Sequence, residues 1–265
     1  MIFIIRIVLG WNNGSINFVD INNLEELLNE ESSEECIDKW AHGRSFNRCK
    51  PYFRFGESTN KILLCGVSEL LASVVDVEQR KEIWRARNVP HDMLNMSIPV
   101  WDKDGDWMDP STIVTSTAYG HIRLYDIRGP KRPVFTTSLT DEVARNNGIT
   151  KIQQITRNDN DISLNCVRCN IHSQDNIIVS SNRGDMYSID VRLATKEHKG
   201  HILGRFKGIQ GSIRDIVIDE NIENTVFASG LDRFVRVYST KTFKEIDRCY
   251  TKLRQNCLST STFLG

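Results

Sequence analysis

Apolar and polar positions alternate with a short period through most of this chain, and the alternation recurs as one repeated unit. In TVFASGLDRFVRVYS (Thr225 to Ser239), apolar Val226, Phe227 and Ala228 lead into a turn at Ser229-Gly230-Leu231-Asp232. Phe234, Val235, Val237 and Tyr238 then supply the β-branched and aromatic bulk of a second strand. The same hairpin is written from Ile7 to Asp20, Leu63 to Asp76, Ile113 to Asp126 and Ile177 to Asp190. Every copy has an apolar entry residue seven positions before a turn residue, which is Gly14, Leu70, Gly120, Gly184 or Arg233. A further apolar segment trails each hairpin, at Cys36–Trp40, Glu82–Ala86, Pro133–Leu139, His201–Phe206 and Glu245–Tyr250.

The interval between copies is roughly 50 residues, a propeller blade of about 40–45 residues with added surface loops. A unit this small is an antiparallel sheet that cannot bury its own faces, so stacking around an axis is what makes a core. The expected architecture is therefore all-β, a propeller with about four complete blades and one partial blade. Residues 1–43 form the partial first blade with an acidic insertion. Residues 44–265 carry the remaining four blades and a C-terminal closing strand of the same domain. Only Met1 to Arg6 precede the first hairpin, so almost no room for an inner strand is expected before it. The apolar start, MIFIIRIVLGW, is interrupted by Arg6 and is too short to span a bilayer. Since it falls in the repeat register, it reads as a strand rather than a targeting signal. Asn22–Glu35 and Thr140–Asp161 read as solvated loops, and Arg248–Gly265 as continued strand alternation.

Composition narrows the function. Lys plus Arg equals Asp plus Glu, 34 of each, so no net field draws the chain to nucleic acid or membrane. Seven Cys in no short-chain disulfide spacing read as free thiols. Cys166, Cys169 and His172 have metal-like spacing, but a structural zinc site needs about four ligands and no second cluster is present. Part of Val89–Asp109 is expected to form the inner strand of the third unit; within it Asp102, Asp104, Asp106 and Asp109 around Gly105 faintly resemble a calcium loop without its closing Glu, for which an acidic, solvated turn is the simpler reading. No nucleophile elbow, HExxH or phosphate-cradling glycine loop occurs, so neither an enzyme nor a cofactor is expected. Gly120, Gly184, Gly211 and Asp232 are candidate structural turn residues. Basic groups at Arg85–Arg87, Arg128–Arg132, Lys199–Lys207 and Lys252–Arg254 sit at the ends of trailing strands. Loops of one propeller rim converge, and such a rim could hold an acidic protein segment or phosphates, the alternative being that these edge-strand charges simply block unwanted pairing.

Several stretches carry a family resemblance. RARNVPHDMLNMSIPVWDKD (85–104), STAYGHIRLYDIRGPKRPV (116–134), RFKGIQGSIRDI (205–216), ASGLDRFVRVYS (228–239) and LRQNCLST (253–260) together resemble the WD repeat-containing protein 74 family of ribosome-assembly factors. The resemblance implies a seven-bladed WD-repeat propeller acting as a non-enzymatic scaffold in the nucleus and nucleolus. It implies binding to precursors of the large ribosomal subunit, to their proteins and pre-rRNA, support of pre-rRNA processing, and removal by an AAA-type ATPase. The N-terminal blades of the family pattern have no counterpart here. Nor does its basic C-terminal tail, which the family links to import and ATPase engagement. Candidate partner-binding residues at matching motif positions are Arg85, Arg87, Asn88, Trp101, Asp102, Arg123, Arg214, Arg233 and Arg236, with Arg132 beside them. The alternative function is a WD-repeat adaptor that recruits substrates to a ubiquitin ligase or chromatin complex.

Overall fold

The computed structural model of the chain describes residues 6–10, 16–20, 36–37, 52–56, 59–66, 69–76, 79, 81–91, 93–139, 163–170, 173, 175–191, 201–219 and 222–259. The expected loops at Asn22–Glu35 and Thr140–Asp161, and also Gly14, His172 and Lys199, lie outside them. Five antiparallel sheets follow one another along the chain. The first has three strands, β1 (Arg6–Gly10), β2 (Ile16–Asp20) and β3 (Cys36–Ile37). The second comprises β4 (Tyr52–Gly56), β5 (Thr59–Cys65), β6 (Ser73–Asp76) and β7 (Lys81–Arg85). The third has β8 (Asp102–Asp109), β9 (Thr112–Thr117), β10 (His121–Asp126) and β11 (Phe135–Ser138). The fourth has β12 (Leu164–Cys169), β13 (Asn176–Ser181), β14 (Met186–Asp190) and β15 (His201–Phe206). The fifth has β16 (Ile213–Ile218), β17 (Thr225–Gly230), β18 (Phe234–Ser239) and β19 (Glu245–Tyr250). Each is a meander, and these are the four complete units and the partial one read from the repeat. No helix among the described residues is long and apolar enough to cross a membrane.

The hairpin register repeats with the sequence. Ile7 faces Val19, Ile113 faces Tyr125, Ile177 faces Ile189 and Val226 faces Tyr238. Gly120 and Gly184 take positive φ (77° and 90°) at the turns, and Arg233 takes the same conformation at φ 68° without being glycine. The second hairpin departs from the pattern. Leu63 faces Val74, the turn is longer, and its left-handed residues are Gly66 and Glu69 rather than Leu70. One turn packs directly on the next blade: a Cβ at Gly184 would meet the Gly211 carbonyl oxygen at 2.6 Å.

The sheets bury one another. Val167, Ile177, Val179, Tyr187 and Ile189 of the fourth pack on Val114, Ile122 and Leu139 of the third. The other face, with Cys166, Ile178, Met186 and Phe206, packs on Ile213, Ile216, Val226, Ala228 and Tyr238 of the fifth. Each such fully buried aliphatic side chain contributes ~1.5–3 kcal/mol. The inner strands are bulged at corresponding points, between Asp102 and Asp104, Leu164 and Cys166, and Ile213 and Asp215.

Two sequence expectations are corrected here. The acidic run from Asp102 to Asp109 is not a solvated turn but the inner strand β8, with Asp102 and Asp104 fully buried. The charges of Asp104 and Asp106 are tolerated because β12, over 60 residues away in sequence, supplies a cation and amides, and that of Asp102 because Arg123 and the Ala72 amide face it. Residues 251–259 form no strand. The Leu258 amide donates to Asp215 Oδ2 at 3.0 Å, as the Val167 amide donates to Asp104 Oδ2 at 3.1 Å. The tail thus stands towards β16 where β12 stands towards β8.

Candidate docking surface

Which candidate residues can meet a partner depends on which ones the blades have already used. Arg168 of β12 sits between two inner strands. Its Nη1 pairs with Asp104, its Nη2 donates to Asp215 Oδ1 at 2.7 Å, and its Nε donates to the Ile216 carbonyl at 2.9 Å. Burial works against the guanidinium charge, but Asp104 above all, with Asp106 and Asp215, overrides it and holds its pKa above the ordinary range. Asp106 in turn accepts the Cys169 amide at 2.9 Å. The third, fourth and fifth sheets are therefore joined through charges as well as apolar packing.

Three of the candidate residues belong to that framework. Arg123 is 1% exposed, with its Nη1 3.9 Å from Asp102 Oδ1, while Asp102 Oδ2 accepts the Ala72 amide of the second sheet at 3.1 Å. Burial raises the Asp102 pKa, with Arg123 opposing the shift. Tyr125 and Thr115 complete this buried cluster, and the Tyr125 hydroxyl is pushed far up, first by burial and then by the Asp102 charge. Arg236 is 5% exposed, pairs with Asp232 and lies 3.6 Å from Glu245 Oε2. Asp232 also accepts the Phe234 amide at 3.3 Å and the Gln210 amide at 3.4 Å, the role expected of a turn Asp.

The others reach the surface in two groups. Arg214 is exposed on the β16 bulge, and Arg233 is exposed at the β17–β18 turn with its guanidinium 5.7 Å from the Tyr250 ring centre. Arg85, Arg87, Asn88 and Arg132 gather where the second sheet meets the third. There the Arg87 amide donates to the Lys131 carbonyl at 2.7 Å, which joins two basic stretches more than 40 residues apart in sequence. Arg87, Arg128, Lys131 and Arg132 are exposed. Arg128 Nε lies 3.6 Å from Asp126, and Arg85 is committed to Glu82, donating from Nε at 2.9 Å. Among the described residues Arg87, Lys131 and Arg132 have no carboxylate partner.

A finger of chain rises from this seam. Asn88 closes its base, with Nδ2 donating to the Ile98 carbonyl at 2.6 Å and Oδ1 accepting the Val89 amide at 2.9 Å. The Glu69 amide holds the returning limb at the Val100 carbonyl, 2.9 Å away. Asn95 turns the tip at φ 59°, with Oδ1 3.0 Å from His91 Nδ1. Met93 is fully exposed, and Leu94 and Met96 are 76% and 59% exposed. Trp101, half-buried where the finger enters β8, has Lys103 Nζ 5.5 Å from its ring centre.

Sequence reasoning located these basic stretches but not their meeting, which depends on one hydrogen bond between blades. It also missed Arg168, whose only signal was an acid at matching bulge positions on the two neighbouring inner strands. The metal-like spacing does not converge: Cys166 faces the fifth sheet and Cys169 the third. Cys166 Sγ donates to the Arg214 carbonyl at 2.9 Å. Burial, then the Asp104 charge, pushes the Cys166 thiol up to about 12.

No family model matches the chain. It is similar to WD repeat-containing protein 74 of Homo sapiens, 26% identical over 201 residues that cover 74% of this chain and 45% of that protein. It is also similar to ribosome biogenesis protein NSA1 of Saccharomyces cerevisiae, 23% identical over 222 residues that cover 78% of this chain and 44% of that protein. The chain spans about half the length of the curated relatives it matches. Among solved structures, the crystal structure of the computationally designed Ika8 protein aligns with a TM-score of 0.60 at 11% identity, covering 97% of this chain and 63% of that one. That likeness concerns the fold alone. The motif resemblance and the reading of a WD-repeat β-propeller architecture are both borne out.

Proposed function

We propose that this chain is a non-enzymatic scaffold of ribosome biogenesis in the nucleus and nucleolus, which docks on precursors of the large subunit and supports pre-rRNA processing. The observation that carries the reading is its similarity to WD-repeat and ribosome-biogenesis proteins over about three quarters of its length. The geometry agrees in kind. Polar groups inside the blades hold sheets together, and Arg87, Arg132, Arg214 and Arg233 are left exposed. The contacts to large-subunit precursor proteins and pre-rRNA are assigned to Arg87, Asn88, Trp101, Arg132, Arg214 and Arg233, with Arg85 in support. Asp102, Arg123 and Arg236 hold the blades. Removal by an AAA-type ATPase belongs to the same reading. Residues 44–265 act as one domain whose tail serves as a closing segment, and residues 1–43 form the partial blade.

The test is affinity purification of the tagged chain. Co-purification of large-subunit precursor particles with their rRNA is expected. Recovery of a ubiquitin-ligase or chromatin complex without rRNA would replace this reading with the adaptor one.

A further inference from the structure

We infer that the seam between the second and third sheets, together with the 88–98 finger, binds an acidic, amphipathic segment of a partner protein. This rests on the docking reading above and names the chemistry that one surface of the chain would recognise. Two properties coincide there. Arg87, Arg128, Lys131 and Arg132 are exposed around the Arg87–Lys131 hydrogen bond, a local cluster of cations on a chain whose total charge is balanced, 34 against 34. Three of these cations have no carboxylate partner among the described residues, so their field is unspent.

The finger adds exposed apolar surface in Met93, Leu94 and Met96 at the end of a loop tied at its base by Asn88. Methionine and leucine at a tip are adaptable apolar contacts, and such exposed clusters mark sites of protein association. A bare phosphate backbone would use the cations and leave these side chains in water. Bases stack mainly on aromatic rings, and the exposed tip side chains Met93, Leu94 and Met96 offer none. An amphipathic acidic segment satisfies both halves: its apolar stripe covers the tip and its carboxylates face the seam.

The experiment places p-benzoylphenylalanine at Leu94 in the tagged full chain. Cells are irradiated and the large-subunit precursor fraction is recovered by sedimentation. Adducts are then treated with nuclease and mapped by mass spectrometry. The expected adduct survives nuclease and maps to a partner peptide rich in Asp and Glu, with apolar residues at helical spacing. Its yield falls about tenfold or more in an R87E/K131E/R132E background whose circular dichroism is unchanged. A nuclease-sensitive adduct would assign the seam to RNA and overturn the inference. So would an adduct on a second copy or on the chain's own acidic LEELLNEESSEE stretch (24–35), or a yield that charge reversal leaves intact. Sedimentation separates the two levels. Chain that travels with precursors but gives no such adduct sinks this inference alone, whereas chain that never does so removes the docking reading and this one with it.

Discussion

Replacing Arg168 by Met removes a cation shared by the inner strands of three sheets. The guanidinium and both carboxylates are almost fully buried, with side-chain exposures of 7%, 0% and 11% for Arg168, Asp104 and Asp215. At an effective dielectric near 20, each ion pair with charge centres about 4 Å apart supplies ~4 kcal/mol of gross attraction. Desolvation of the ions consumes most of that sum, so the intact trio adds little over a well-packed apolar substitute. Removing Arg168 alone leaves two uncompensated carboxylates, which costs ~3–5 kcal/mol. Urea unfolding of the whole chain reads this loss, and hydrogen exchange localises it to β8, β12 and β16. Adding Asp104→Asn and Asp215→Asn to Arg168→Met recovers more than half of it. Neutral amides still accept the Val167 and Leu258 hydrogen bonds at those positions. Arg205, paired with Asp185 but 53% exposed, is the control, and Arg205→Met costs less than ~1 kcal/mol. A loss below ~1 kcal/mol for Arg168→Met, or a triple variant no better than the single one, would refute the reasoning.

Gly184→Ala places a methyl 2.6 Å from the Gly211 carbonyl oxygen at a φ of 90°, and a loss of ~2 kcal/mol or more in thermal unfolding is expected. Arg233→Gly relieves a φ of 68°, a conformation that costs an L-residue ~1–2 kcal/mol, and raises the melting temperature although it gives up a contact with Tyr250 of ~0.5–1 kcal/mol. Alkaline pH weakens the fold through Cys166. Its folded pKa of about 12 lies above the ordinary value of 9.0, so the unfolded chain loses this proton first. Its contribution is complete below pH 9.0 and is lost as pH rises towards about 12, at up to ~1.4 kcal/mol per pH unit. Cys166→Ala flattens the measured slope in that window by this amount, though it lowers stability at pH 7.

The hairpins were legible from the chain alone because a strand and its turn are local. Alternation over a few residues sets the buried face, and the spacing from entry residue to turn sets the register, as at Ile113–Asp126 and Ile177–Asp190. The second hairpin misled because Gly66 and Glu69 bend a longer connection, and nothing at Leu70 marks the difference. Arg233 was legible only by its place in the repeat, since no residue preference points an arginine to positive φ.

Sequence by itself determined the repeated hairpins, the strands that trail them and the two halves of the basic seam, all of which follow from patterns shorter than one repeat. Tertiary structure decided the fate of the charges. Asp102, Asp104 and Asp106 resemble surface acids until β12 and the second sheet arrive with an arginine and backbone amides, and Arg123 and Arg236 resemble contact residues until their own blades enclose them. Burial and pairing depend on what packs alongside, which lies 4 residues away in sequence for Arg236, 21 for Arg123 and 64 for Asp104. That is also why Arg87 and Arg132 became one surface only when the Lys131 carbonyl met the Arg87 amide.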